Sequence, residues 1–394
     1  MHPHAIRSSG FLALALVLIA PQAVAIDAAR LPAATAEAMA QAASPQAIAE
    51  YRRKLREYQE ARAAFEAEAG AYWSSIADKR RGRNAKRREH VAIALDDYVL
   101  TQPPVYTGPK RPANPEPEPE PKQRERKAIP IVADLLQAAR EQFQWTPQKP
   151  AGEVEFKRAY ARVASAAGLT REQAVRVYSF ETGGNGNYDM QSGLRGGRAI
   201  STAIGYNQLL TTNSVELIAE QGHELIRALN EKAAPLSGPP RKAMDYKIAV
   251  LKKMVAYARS VPDDWSQHEK LADTAQGWAL HAMVLDIDVG PLLQTHKLLT
   301  SVIFARAKGY TRPLTAAELE MMNLTGDGTG LDMVTMPQAL REQVPTSNFF
   351  QRGGYERNPV AIRHNTVAKL LAVTDSRMDS NSNLPGAKEL AAAF

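Results

Sequence analysis

Eight prolines fall between Pro103 and Pro121, the last four alternating with glutamate as PEPEPEP from Pro115. No helix or sheet runs through such a stretch, because each proline removes a backbone donor and fixes φ. Polyproline II is the conformation left to it, and at ~3.1 Å per residue the stretch would span roughly 60 Å. The chain of 394 residues is therefore expected to divide here. A helical extension would occupy 26–102, a linker rich in proline and charge 103–127, and the main domain 128–394.

The first 25 residues read as an address. Arg7 precedes an apolar run from Phe11 to Ala20, Pro21 breaks it, and Ala23-Val24-Ala25 has small residues where a signal peptidase cuts. The run is too short for a bilayer span, which takes about 20 residues, and suits the core of a signal peptide. Cleavage after Ala25 and a periplasmic or secreted protein are expected. The chain has no cysteine, which excludes disulfides, thiolate metal sites and a cysteine nucleophile.

The net charge of +7 is concentrated. Residues 51–127 carry 18 basic against 12 acidic side chains, so +6 of it lies there. Within this region Ile48, Tyr51, Leu55, Tyr58, Phe65, Ala69, Tyr72 and Ile76 follow helical spacing after Ser44-Pro45, with Arg62 as the one polar interruption. The pattern predicts a long amphipathic helix that joins a coiled-coil partner through 48–76 or lies against the main domain. Lys79–Arg88 holds seven basic residues and no acid. Behind a signal peptide this run suits an anionic envelope polymer or lipid headgroups, or is a solvated charged face, and no nucleic-acid partner is expected.

Beyond Ala128 the apolar spacing predicts a succession of helices: Ile129–Gln144, Glu153–Ala167, Arg241–Val261, His268–Leu285 and Val289–Lys308. Thr170-x-x-Gln173 is a capping box for a helix running to about Glu181, and Asn213-x-x-Glu216 and Thr315-x-x-Glu318 mark further starts. Alternating β-branched runs are few, so the fold class is mostly α.

Several chemistries lack their motifs: there is no HExxH, Walker loop, GxSxG or EF-hand series, and Gly326–Gly330 reads as a turn. No metal and no cofactor are expected. The informative segment is Val175–Glu220. An apolar helix face with Val175, Val177, Tyr178 and Phe180 delivers Glu181 at a helix end, followed by a glycine-rich loop. Partial desolvation and the negative end of the helix dipole would raise the pKa of that carboxyl, as a general acid at neutral pH requires.

Glu181-Thr182, followed after 26 residues by the Gln of Gly205-Tyr206-Asn207-Gln208, resembles the lysozyme-like lytic transglycosylases of bacterial cell walls. The resemblance covers about 45 residues strongly. It implies a lysozyme-like helical domain, peptidoglycan glycan strands as substrate and partner, and Glu181 as the single general acid and base. It also implies that Thr182, Gly205, Tyr206, Asn207 and Gln208 bind substrate. Thr182 and Thr202 stand where the family usually has Ser and Gly. The family's later Tyr-Asn-Ala-Gly element is not recognisable, and the segments nearest to it in composition are Met322-Asn323-Leu324 and Phe349–Tyr355. Asp189 is the one acid in the intervening loop and is a candidate second carboxylate for a hydrolytic variant. The alternative function is a non-catalytic peptidoglycan-binding envelope protein on a degenerate version of the fold.

Overall fold

The computed structural model describes residues 44–116 and 128–394. The expected signal peptide with its cleavage site, and the end of the proline-rich stretch, lie outside the described residues. The structure is mostly helical, 67% helix and 2% strand, with no sheet among the described residues. It comprises α1 (Pro45–Arg88), α2 (Val132–Phe143), α3 (Glu153–Ala166), α4 (Arg171–Thr182), α5 (Thr211–Ala233), α6 (Gly238–Ala258), α7 (Trp265–Ala272), α8 (Ala275–His281) and α9 (Gly290–Ala307). There follow α10 (Ala316–Thr325), α11 (Asp327–Thr335), the short α12 (Gln338–Arg341), α13 (Arg352–Glu356) and α14 (Pro359–Arg363), then α15 (Val367–Ser382) and α16 (Pro385–Ala393).

Contacts divide the chain into two units. The described part of the first is 44–62 with 107–116. There the Ser44 hydroxyl accepts from the Ala47 amide at 3.2 Å at the start of α1. Arg53 pairs with Glu50 and Glu57, and Tyr51 and Lys54 face the Pro109–Pro115 segment.

The second unit joins 63–106 to 128–394. This departs from the expected boundary at 103–127. The remainder of α1 packs onto the late chain: the Trp73 ring meets Tyr355 tilted at 60° with centroids 5.7 Å apart, and the Tyr72 hydroxyl lies 2.7 Å from that of Ser347. The first prolines are laid down rather than held out as a spacer. Proline still offers neighbouring carbonyls as acceptors, and Thr101 takes the Tyr72 hydroxyl at 3.0 Å while Tyr106 meets Phe65 edge-on at 5.4 Å.

The basic run is largely consumed by the same packing. Arg83, 1% exposed, donates to the carbonyls of Asp97 at 2.9 Å and Asn348 at 3.3 Å, with its guanidinium 4.4 Å above the Tyr98 ring. Arg80 donates to the carbonyls of Asn348 and Phe350, Lys86 pairs with Asp97, and Arg87 with Asp332. A run that reads as a solvated or polymer-binding face is mainly a clasp. The Phe65, Ala69, Tyr72 and Ile76 part of the apolar stripe, expected to join a coiled-coil partner or to lie against the main domain, is turned to this unit, with Ala69 and Ile76 buried.

Around the site the core has two parts. One gathers α2, α5, α6, α8 and the start of α9. The other gathers α3, α4, the rest of α9, α10, α15 and α16 around Phe156, Tyr160, Tyr178 and Tyr206. The Tyr206 ring meets the other three edge-on at 5.3, 5.4 and 4.9 Å, a geometry that adds about 0.5–1.5 kcal/mol per pair beyond burial. Residues 315–394 are integral to this core. They supply α10, and α15 and α16 hold α4 and its following loop, where Ala387 N donates to Gly184 O at 2.8 Å.

Candidate active site

The Thr170–Gln173 box closes reciprocally, at 3.1 Å and 3.0 Å, and starts α4 in register. Gly183 ends the helix at φ +64°, a left-handed conformation suited to glycine. Between these fixed ends, Ala174, Val177 and Tyr178 face the core, and Glu181 comes out half-buried in the last turn.

Glu181 opens into a chamber of about 330 Å³ bordered by Phe180, Gln208, Lys297, Glu320 and Asn323. A second chamber of about 460 Å³, bordered by Glu216, Glu220, Trp265 and Asp327, shares Leu210, Asn213, Lys297 and Asn323 with the first. The two form one groove with Lys297 at the junction.

The electrostatics are unusual for so small a space. Burial raises the Glu181 pKa to about 7, against the opposing pull of Lys297, Glu320 and Asn323. The Asn323 side-chain amide donates to Glu181 Oε1 at 2.8 Å. Glu320 is 1% exposed, and burial and the neighbouring Glu181 hold its carboxyl well above the usual range. Glu216 is pushed up to about 7 by burial and then by Glu220. Desolvation lowers the Lys297 ammonium, while Asp327, Glu216, Glu181 and Glu320 support its charge.

The other residues implied by the family resemblance separate into floor and wall. Gln208 lines the groove beside Glu181, held at φ +44° with its amide donating to Gly205 O at 2.7 Å. Gly205 sits at φ +84°, and a Cβ there would meet Gln294 Nε2 at 2.0 Å. Tyr206 is fully buried and its hydroxyl donates to Glu153, so its ring reaches no substrate. Asn207 is fully buried too, its amide donating to Gln294 O at 2.7 Å and Tyr160 Oη at 3.2 Å. The Thr182 hydroxyl donates back to Tyr178 O at 2.7 Å inside the protein. These three shape the floor beneath the groove, a different position from the substrate contact the family resemblance implies. Asp189 does not border the groove; its charged neighbour is Glu153.

Glu320, Lys297 and Trp265 are groove residues to which the sequence reading assigns no role, and Asn323 and Glu216 enter it in other roles. Met322-Asn323-Leu324, nearest in composition to the family's asparagine-bearing element, held the available signal. Phe349–Tyr355 does not serve, since Phe349, Phe350 and Tyr355 are buried in the cluster around Tyr98. The Asn213-x-x-Glu216 spacing predicts a capping pair. In fact α5 begins at Thr211, the Asn213 side chain accepts from Leu210 N at 3.1 Å, and Glu216 is left to face the groove. Among the described residues no three His, Asp or Glu side chains group as metal ligands. No protein-family model, curated protein or solved structure matches the chain.

Proposed function

We propose that this protein is exported and cleaves the glycan strands of peptidoglycan as a lytic transglycosylase, with Glu181 as its single general acid and base. The observation that carries the reading is a half-buried carboxyl in a polar groove, with its pKa raised to about 7 and one oxygen fixed by Asn323. A carboxyl so placed is protonated in a large fraction of molecules at neutral pH and is matched to proton transfer there.

Glu181 gives its proton to the glycosidic oxygen as the bond to the anomeric carbon breaks, and that bond's electron pair stays on the leaving oxygen. The substrate's own 6-hydroxyl oxygen then bonds to the anomeric carbon, and its proton passes to Glu181. No water is consumed, so no second carboxylate is required, in contrast to the paired carboxylates of most glycosidases. Asp189, outside the groove, fits that economy. Trp265, 44% exposed on the groove wall, offers an aromatic face to a sugar ring. Lys297 offers a cation to the carboxylates that peptidoglycan carries.

Digestion of purified sacculi, with products identified by mass, tests the proposal. The expected products carry 1,6-anhydro muramic ends, one water lighter than hydrolytic ends. Reducing ends would make the protein a hydrolase. Glycan binding without cleavage would make it a non-catalytic envelope protein.

A further inference from the structure

The groove holds a second carboxyl that glycan cleavage as described does not use. Glu320 sits one turn before Asn323 on α10 and is 1% exposed. Its Oε2 is buried without an N–H or hydroxyl donor. The Asn323 amide, already given to Glu181, is the one neutral group that favours charge on Glu320. A buried carboxylate so poorly supplied is disfavoured, whereas a neutral carboxyl carries a proton of its own to donate. The carboxyl beside it on the same chamber, and acting on it, is that of Glu181.

We propose that Glu320 is a neutral carboxylic acid that donates a hydrogen bond to Glu181 and thereby positions and stabilises the ionised form of that carboxyl. Its meaning for glycan cleavage rests on Glu181 being the acid and base, as proposed above. Glu320 keeps its proton throughout. When Glu181 releases its own proton to the glycosidic oxygen, negative charge grows on Glu181, and the Glu320 O–H is already aimed at it. A preorganised donor is most effective where charge develops. Two carboxyls this close do not both ionise at neutral pH.

The surroundings agree. Glu181 faces Glu320 from α4 and Lys297 faces it from α9. Asp327 of α11 and Glu216 of α5 act on Lys297. Arg176 of α4 is taken up by Asp375 and Asp379, and Glu318 of α10 by Arg312. The buried face of α15 presents Val367, Leu370, Thr374 and Met378, without charge. Burial and then the adjacent Glu181 push the Glu320 carboxyl upward, and they outweigh the opposing pull of Asn323 and Lys297.

Carbon NMR of the full chain labelled at glutamate side-chain carboxyls tests this, with Glu181 and Glu320 assigned through E181Q and E320Q. In wild type, Glu320 is expected to remain protonated at the pH where Glu181 has ionised. E320Q keeps a neutral donor and should leave the Glu181 midpoint within about 0.5 unit, while E320M removes it and should raise the midpoint by about 1 unit or more. The alkaline limb of the sacculus-cleavage profile should follow the same order, with Gln rescuing what Met loses. An ionised Glu320 at that pH, a Glu181 midpoint that falls in E320Q, or one that stays fixed in E320M would overturn the proposal. If E320M does not fold, the protonation of Glu320 in wild type and the E320Q midpoint decide. Midpoints that move as expected in a protein that cleaves no sacculus would remove the glycan reading and leave the carboxyl pair standing.

Discussion

The side-chain amide of Asn323 donates to Oε1 of Glu181 at 2.8 Å, tying the last turn of α10 to the last turn of α4. The bond favours the ionised carboxyl and opposes the rise caused by burial.

Replacing Asn323 by Ala should therefore raise the Glu181 midpoint and move the alkaline limb of activity upward. Cleavage should fall about 10- to 100-fold, the range expected for losing a hydrogen bond to a charged group. Rates of sacculus solubilisation across pH measure both effects.

Glu216 makes the groove a cost to stability. Its folded pKa, about 7, lies above its ordinary value of 4.5. The folded state thus holds the proton more tightly than the unfolded chain. Stability is unaffected well below 4.5, declines as pH rises between the two values, and stays lowered above about 7. E216Q removes that penalty. Its melting temperature should exceed wild type at about pH 8 by about 2–4 °C, the shift that ~1 kcal/mol gives, with little difference at about pH 4. Melting curves at the two values measure it.

Local signals in the sequence located most of this framework. The Thr170 box, the Gly183 stop and the spacing of Val289–Lys308 are written within a few residues of the elements they define. Where neighbours intervene, the reading slips. The expected helix His268–Leu285 breaks because the Thr274 hydroxyl accepts from Gly277 N at 3.0 Å and starts α8. The groove has no local signature, since Asn323 meets Glu181 across 142 residues and Glu320 and Asn323 occupy sequence positions like any others on a helix. The fate of Lys79–Arg88 was equally hidden, because the carbonyls that take up its arginines belong to residues near 348.

Those arginines bear a stability prediction. R83A removes a buried guanidinium, takes the donor from the half-buried Asp97 carbonyl and leaves Asn348 O only its bond from Arg80, so unfolding free energy should fall by roughly 1–3 kcal/mol. A fragment from Ala128 should be far less stable than one from Ala63, because it lacks the residues that cover Phe349 and Tyr355. Denaturant titrations of the variant and of the two fragments check both, and a fully stable fragment from Ala128 would show the clasp to be dispensable.

The most direct measurement compares wild type, Glu181→Gln and Asp189→Asn on purified sacculi. The Gln side chain keeps size and hydrogen bonding but has no proton to release. Cleavage should drop by at least ~10²–10⁴-fold, the contribution of general acid–base catalysis, with melting behaviour retained. Asp189→Asn should cleave like wild type, and both active proteins should release 1,6-anhydro muramic ends. Undiminished cleavage by Glu181→Gln would contradict the central claim.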